Sequence, residues 1–258
     1  MAKAEARQLA ALVTLFAALL LPAAGHGQAD LRVLDAMASS TVRLPSDGVR
    51  GLLWSGDELL LLVTSNRSLS APASSFAANL VRLDTVTGVA DTLSREVDGY
   101  ESGLTSDGEF LWSGGSLLGS QQGLYQLDRK TFAISLTLPG SGYHPAGLAW
   151  DGSYLWQVDA DSRKLLRMDV EEGRISRKIA APGFYPTGLA YDGFHFWCAD
   201  AATGRLYRLR SHDGRADAVI NAEAFMRPGE FVSLTWDGRA LWAAAASDSF
   251  AVRLELLQ

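Results

Sequence analysis

A ten-residue frame recurs five times in this chain, and it restricts the fold more than any other feature of the sequence. The copies contain no insertion or deletion; they are GLLWSGDELL at 51–60, GLTSDGEFLW at 103–112, GLAWDGSYLW at 147–156, GLAYDGFHFW at 188–197 and SLTWDGRALW at 233–242. Consecutive copies begin 52, 44, 41 and 45 residues apart. A period of about 40–50 residues is typical of repeat proteins, in which each unit buries its faces against the next.

Each frame has the pattern of a β-hairpin. Four strand residues lead to an Asp-Gly pair in all copies but the first, which has Ser-Gly, and an apolar strand follows. Asp-Gly favours the tight turns that join antiparallel strands. A third strand comes later in every repeat, namely LVRLD at 80–84, LYQLD at 124–128, LLRMD at 165–169, LYRLR at 206–210 and AVRLE at 251–255. A turn and a fourth strand would complete a four-stranded antiparallel blade.

The two ends of the chain complement each other. The last repeat reaches Gln258 after its third strand, whereas Ser40–Leu44 has the pattern of a fourth strand and precedes the first frame. We therefore predict that residues 30–258 form one all-β domain, a five-bladed β-propeller with four-stranded antiparallel blades. The N-terminal strand near Ser40–Leu44 is expected to complete the last blade, because ring closure protects sheet edges that would otherwise be exposed.

The first 29 residues have the pattern of a secretory signal peptide. Lys3 and Arg7 precede the apolar segment Leu9–Leu21, and small residues follow it. Because a membrane-spanning helix needs about 20 apolar residues, we predict that segment 1–29 is cleaved, that no membrane span is left, and that the mature protein is secreted or periplasmic. The single cysteine, Cys198, permits no internal disulfide and is expected to be buried.

Charge and motifs exclude several classes of partner. The formal net charge is −6, and the charged residues are scattered, whereas a nucleic-acid surface would show basic stripes. The chain has no phosphate-binding loop, no Cys-based zinc motif and no Gly-x-Ser-x-Gly elbow. We therefore expect no nucleic-acid partner, no cofactor and no bound metal.

The seven tryptophans occupy matched positions in the repeats. Some end first strands and the others lie in second strands; they are Trp54, Trp150 and Trp236, then Trp112, Trp156, Trp197 and Trp242. Large aromatic side chains dominate the burial of apolar area in protein cores. The matched positions therefore indicate packing between blades, and none of the seven is predicted to be a site residue.

The candidate binding site lies at one end of the propeller axis. The links between blades and the second-to-third-strand loops share one face, here called the link face, whereas the Asp-Gly turns lie on the opposite turn face. Candidate ligand-binding residues precede the frames or lie in the longest loop; they are Arg50, Arg67, Tyr100, Glu101, Tyr143, His144, Phe184, Tyr185, Arg227 and Glu230. Aromatic residues with a few charges suit a carbohydrate or peptide. Alternatively, the tyrosines plug the channel.

Two connections on the link face are longer than their counterparts, at 65–79 and 114–122. Loops that depart from a repeat often carry function. We therefore expect a ligand to contact the link face near the first two blades. A long loop is also tolerated at little cost, about 0.6 kcal/mol per doubling of its length, so the length alone does not establish a function.

A resemblance to a known family rests on the frame GLAWDGSYLW, on the later Asp159 or Asp200, and on the third strands KLLRMD and RLYRLR. In these segments the chain resembles the propeller proteins grouped near glutamine cyclotransferase. NHL-type and lactonase propellers are similar more loosely. The second repeat is closest, because Glu101 and Ser102 precede Gly-Leu-Thr. The resemblance implies a glutamate that acts as general acid and base while an N-terminal glutamine cyclises and releases ammonia. This chain has Ser102 where the family has its acid, with Glu101 one position earlier, and Arg50 where the family has a glutamine.

Three functions therefore stay open. The first is a module that binds an extracellular peptide, glycan or protein. The second is a glutamine cyclotransferase-like enzyme with Glu101 as its catalytic residue. The third is a metal-dependent lactonase-like hydrolase, whose candidate ligands would be Glu101, Glu230 and His144, with Asp159 and Asp200 nearby. Short carboxylates at strand ends commonly accept hydrogen bonds from backbone N–H groups of their own loops. For Asp159 and Asp200 this structural role competes with a role as metal ligands.

Overall fold

The computed structural model describes residues 31–45, 48–64, 77–98, 102–117, 121–139, 145–225, 228, 232–245 and 250–257. These residues form β-strands and turns, and Arg32–Gln258 form one unit. No helix in these ranges is long and apolar enough to cross a membrane. The predicted signal peptide, 1–29, lies outside the described residues.

Five sheets form the blades predicted from the repeat. The first strand of each blade contacts the first strands of its two neighbours, so the five sheets close into a ring. Blade 1 contains β3 (Val49–Ser55), β4 (Glu58–Thr64), β5 (Ala77–Asp84) and β6 (Ala90–Asp98). Blade 2 contains β7 (Ser102–Ser106), β8 (Phe110–Leu117), β9 (Gln121–Asp128) and β10 (Ile134–Pro139). Blade 3 contains β11 (Pro145–Trp150), β12 (Leu155–Asp159), β13 (Lys164–Asp169) and β14 (Arg174–Ala180).

The remaining two blades use the N-terminal strands. Blade 4 contains β15 (Pro186–Tyr191), β16 (His195–Asp200), β17 (Arg205–Arg210) and β18 (Ala216–Asn221), and β1 (Arg32–Val33) pairs in parallel with β18. Blade 5 contains β19 (Val232–Trp236), β20 (Leu241–Ala245), β21 (Phe250–Leu256) and β2 (Ala36–Arg43). Ser40 pairs with Arg253 and Val42 pairs with Ala251. The predicted closure of the ring is confirmed, although the closing strand begins at Ala36 and ends before Leu44.

The predicted long connection at 114–122 is mostly strand. Residues up to Leu117 continue β8 and residues from Gln121 begin β9, with Leu117 paired to Gln121. The extra length therefore extends a hairpin, because the added backbone groups hydrogen-bond to each other. Likewise, Ala77–Asn79 belong to β5, and the rest of the predicted 65–79 loop lies outside the described residues.

The aspartate of the Asp-Gly pair holds four of the five hairpin turns. In blade 3, Oδ1 of Asp151 accepts hydrogen bonds from two backbone N–H groups of the turn, and its Oδ2 accepts one from Nε1 of Trp156 at 2.6 Å. The same bond joins Asp107 to Trp112, Asp192 to Trp197 and Asp237 to Trp242 at 2.8, 2.8 and 3.0 Å. Blade 1 has Ser55 and Leu60 at these positions, so it lacks both the acceptor and the donor.

Apolar side chains fill the spaces between neighbouring blades. Trp54 of blade 1 stacks on Trp242 of blade 5 with ring centroids 6.0 Å apart. Trp156 of blade 3 contacts Phe196 of blade 4 at 4.8 Å. Cys198 is fully buried as well. The tryptophans thus pack between blades, as the sequence predicted.

Glycine at the start of the frames allows the innermost strands to approach closely. A Cβ atom on Gly147 would lie 2.5 Å from the carbonyl oxygen of Thr187 in the next blade, and one on Gly51 would lie 2.8 Å from Cβ of Leu104. The axial cavity between these strands has only about 10 Å³, room for roughly one water molecule. At this level the innermost strands themselves close the axis.

Candidate functional site

Three of the ten candidate ligand-binding residues lie in the described part of the chain. Arg50 lies in β3 and is partly buried, and Phe184 and Tyr185 lie in the link between β14 and β15. The other seven lie outside the described residues; they are Arg67, Tyr100, Glu101, Tyr143, His144, Arg227 and Glu230. The candidate catalytic residue, Glu101, is among them. The described candidates on the link face therefore lie mainly on its blade 3–4 side, at Phe184 and Tyr185.

A buried aspartate fixes the link that carries Phe184 and Tyr185. Oδ1 of Asp200, at the end of β16, accepts hydrogen bonds from the backbone N–H groups of Phe184 at 3.2 Å and Tyr185 at 2.7 Å. Its Oδ2 accepts a bond from Oγ1 of Thr203 at 2.7 Å. The N–H of Ala201 donates to the carbonyl oxygen of Tyr185 at 2.9 Å. The link backbone is thus tied to the blade at several points.

The side chains of this link face the solvent. Phe184 is 50% exposed and Tyr185 is 38% exposed, whereas Asp200 beneath them is 1% exposed. Exposed aromatic rings on a backbone with fixed hydrogen bonds present apolar contact area in a defined place. This arrangement suits contact with a ligand on the link face.

Asp159 and Asp200 both accept hydrogen bonds from backbone N–H groups. This is the structural role that competes with a role as metal ligands. Oδ1 of Asp159 accepts bonds from the N–H groups of Asp161 at 3.1 Å and Ser162 at 3.3 Å. In the described ranges, no group of three His, Cys, Asp or Glu residues could hold a metal ion. The other candidate ligands of a lactonase-like metal site, Glu101, Glu230 and His144, lie outside those ranges.

Ser102 occupies the position where the resemblance implies an acid. It lies in β7 directly before Gly103, and its side chain is 6% exposed. The blade therefore places a buried hydroxyl, not a carboxylate, at this point of the innermost strand. In sequence, the carboxylate nearest to this position is that of Glu101.

A second concave site, which was not predicted from the sequence, lies on the turn face. It has a volume of about 150 Å³ and is lined by the ends of the first strands, including Trp54, Ser106, Trp150, Tyr191, Thr235 and Trp236. Oγ1 of Thr235 accepts a hydrogen bond from the N–H of Trp54 at 2.9 Å, so two blades are bonded across its wall. The recurrence of large side chains at strand ends beside the axis was the available signal.

Among the described residues, Tyr191 supplies the only phenol in this depression, and it is not poised for acid–base chemistry. The hydroxyl of Tyr191 donates a hydrogen bond to the carbonyl oxygen of Gly193 at 2.8 Å. Burial raises the pKa of Tyr191, and the carboxylates of Asp151 and Asp192 raise it further. The phenol therefore stays protonated and the depression offers aromatic edges and hydroxyl groups.

Comparison with known proteins supports the architecture. No protein-family model matches the sequence, and no curated protein matches it. Among solved structures, the glutaminyl cyclase of Myxococcus xanthus is similar over 89% of this chain and 100% of its own, with a TM-score of 0.69 and 12% sequence identity. At this identity the similarity shows the fold alone. The chain is a five-bladed β-propeller, consistent with the glutamine cyclotransferase-like propellers that its repeats resemble.

Proposed function

We propose that this chain is an exported propeller that binds an extracellular peptide, glycan or protein on its link face. The observation that carries the proposal is the Phe184–Tyr185 pair, two exposed aromatic side chains on a link that Asp200 holds in place. Rigid aromatic side chains supply contact area at a low cost in conformational entropy. In the turn-face depression, by contrast, the tryptophan rings already pack between blades.

The test is a binding screen of the purified mature chain against glycans and peptides, followed by affinity measurements on variants. Phe184→Ala and Tyr185→Ala should each weaken the binding of a ligand found in the screen by about tenfold, which corresponds to about 1.4 kcal/mol. Phe194→Ala is the matched control, because Phe194 is 77% exposed but lies in an Asp-Gly turn on the turn face. Equal affinities for all three variants and the wild type would contradict the proposed face.

The other candidate residues, within and outside the described ranges, enter the same screen. Three variants test whether the ligand extends toward blades 1 and 2. They are Arg50→Ala, Tyr143→Ala and a variant whose 65–76 loop is shortened to the length in blades 3–5. Shortening the loop should leave the free energy of unfolding nearly unchanged, because closure entropy depends weakly on length. Unchanged affinity in all three variants would restrict the site to the blade 3–4 side.

A second candidate is cyclisation of N-terminal glutamine. Two observations favour it: the similarity to the Myxococcus xanthus glutaminyl cyclase structure and Glu101 next to the Ser-Gly-Leu-Thr of β7. The carboxylate of Glu101 would take a proton from the attacking α-amine and give one to the departing ammonia. Incubation with a peptide that begins with glutamine tests this: ammonia release by the wild type and none by Glu101→Gln would favour the enzyme. No release by the wild type would remove it.

A further inference from the structure

A basic concavity lies on the outer part of blade 3, beside the link to blade 4. It has a volume of about 320 Å³, and its lining includes Ser162, Arg163, Lys164, Lys178, Ala181 and Gly183. Three cationic side chains and no carboxylate side chain line it, although the chain as a whole has a formal net charge of −6. In the part of the chain that the structure describes, none of the three forms an ion pair.

The strand register places the two lysines on one face of the blade. Lys164 of β13 pairs with Ala180 of β14, and Lys178 lies two residues before Ala180. Diagonal neighbours of this kind lie about 7–8 Å apart, within reach of long side chains, and like charges so placed repel each other. An anion bound between the two ammonium groups would remove that repulsion.

Arg163 adds a third cation, although its backbone conformation is unfavourable for a residue with a Cβ. Its φ is 52°, in the left-handed region that disfavours residues with a Cβ. Blade 4 has Gly204 at the same place, with a φ of 63°. The two positions are matched by their bonds, because the carbonyl oxygen of Arg163 accepts from the N–H of Ala181 and that of Gly204 accepts from Ala222, at 2.9 and 3.0 Å. Blade 3 thus holds an arginine where the backbone favours glycine.

The comparison with blade 4 also explains why the concavity is open. Val219 takes the place of Lys178 in blade 4, since it pairs with Tyr207 as Lys178 pairs with Leu166. Strand β1 pairs with the outer edge of β18, with Val33 opposite Val219. Among the described residues, no strand covers β14, so its edge and its lysine stay accessible. Residues held in disfavoured backbone conformations tend to cluster at ligand sites.

Three carboxylates lie near this cluster without lining it. Asp159 pairs with Lys164 across β12 and β13, and its Oδ1 accepts a hydrogen bond from the N–H of Ser162. Asp200 lies behind the backbone of Gly183, and its oxygens accept bonds from the link and from Thr203. Asp161 is exposed in the same turn as Arg163. Their charges reduce the positive potential but do not occupy the concavity.

We propose that the concavity binds the phosphate or sulfate group of a small organic ester, through Arg163, Lys164 and Lys178. A dianionic oxygen cluster matches three cationic residues that line one concavity, and guanidinium binds such groups in a fork geometry. A volume of about 320 Å³ exceeds the needs of the group alone and falls at the lower end of ligand pockets, about 300–1,000 Å³. A small organic part, such as a single sugar ring, would fit beside the group. This site does not depend on the aromatic pair of the proposed function.

The proposal is tested by calorimetric titration of the purified full chain at constant ionic strength in chloride. The titrants are glucose 6-phosphate, glucose 6-sulfate, glucose and inorganic phosphate. The expected result is that an ester binds at least tenfold more tightly than glucose and than inorganic phosphate. Esters that bind no better than glucose would overturn the site. Inorganic phosphate that binds as tightly as the esters would overturn the assignment to an ester and leave a site for the free ion.

Variants separate an anion site from a basic strand edge, since lysine and arginine on edge strands also prevent edge-to-edge pairing. Arg163→Gly and Lys178→Gln should each weaken ester binding at least tenfold, and Arg163→Gly should not lower the urea midpoint of the unliganded chain because glycine suits the φ of 52°. The matched control is Arg239→Gln, which removes an exposed cation in an Asp-Gly turn on the other face and should change affinity less than twofold. Wild-type affinity in both site variants would leave only the edge-protecting role.

Discussion

The bond between the turn aspartate and the buried indole gives a quantitative test of how each blade is stabilised. In blade 3, Asp151→Ala removes two bonds to turn N–H groups and leaves Nε1 of Trp156, a side chain only 2% exposed, without its acceptor. The two turn bonds contribute about 1 kcal/mol each and the orphaned buried donor costs about 1–3 kcal/mol. We therefore expect Asp151→Ala to lower the free energy of unfolding by about 3 kcal/mol.

A double-mutant cycle isolates the indole contribution. In a Trp156→Phe background no indole donor exists, so Asp151→Ala should cost only the turn bonds, about 1–2 kcal/mol. The measurement is urea unfolding followed by far-ultraviolet circular dichroism, which does not rely on tryptophan fluorescence. Ser55→Ala in blade 1, where Leu60 replaces the tryptophan, is the control and should cost less than about 1 kcal/mol. If Asp151→Ala costs the same in both backgrounds within about 0.5 kcal/mol, the reasoning is wrong.

Three further predictions concern packing, thiol reactivity and acid stability. Gly147→Ala places a Cβ 2.5 Å from a backbone oxygen of the next blade and should lower the free energy of unfolding, measured in urea, by about 3 kcal/mol. Gly152 has a φ of 95° and open space around the position of a Cβ, so Gly152→Ala should lower it by only about 1 kcal/mol. Burial raises the pKa of the Cys198 thiol, so a thiol reagent should label it only after denaturation; rapid labelling of the folded chain would contradict this. Burial acts to raise the pKa of Asp237, but the hydrogen bond from Arg253 at 2.5 Å and the turn N–H groups together hold it below its ordinary value. Their stabilisation is therefore present above about pH 4 and is lost as the pH falls further, and Asp237→Asn should flatten this acid limb of the stability curve.

The sequence predicted the blades because local rules and the global fold agree in each repeat. Asp-Gly turns fix the hairpins, alternating strands follow, and the orphan pattern at Ser40–Leu44 could only be satisfied by the last blade. The bounds were less accurate. The 114–122 segment looked like a loop because it exceeds the repeat length, yet Leu117 and Gln121 pair with each other and extend β8 and β9. Pairing of an extended hairpin does not depend on repeat length, so the count of residues did not reveal it.

The candidate site was predictable only in part. The sequence indicated that Phe184 and Tyr185 precede a frame, but not that Asp200, fifteen residues beyond Tyr185, binds their backbone N–H groups. The basic concavity was not predicted at all. Arg163, Lys164 and Lys178 are ordinary surface residues in sequence, and they line one concavity because β13 and β14 are antiparallel neighbours.

The sequence by itself therefore determined the number of blades, their hairpin turns and the closure of the ring. These features rest on short-range turn chemistry and on a period that repeats, both of which are written along the chain. Only the tertiary structure decided which glycines are indispensable, which aspartates bind neighbouring links and where cations converge. Those properties depend on contacts between residues distant in sequence, such as Gly147 with Thr187, and such distances are set by how the blades pack around the axis.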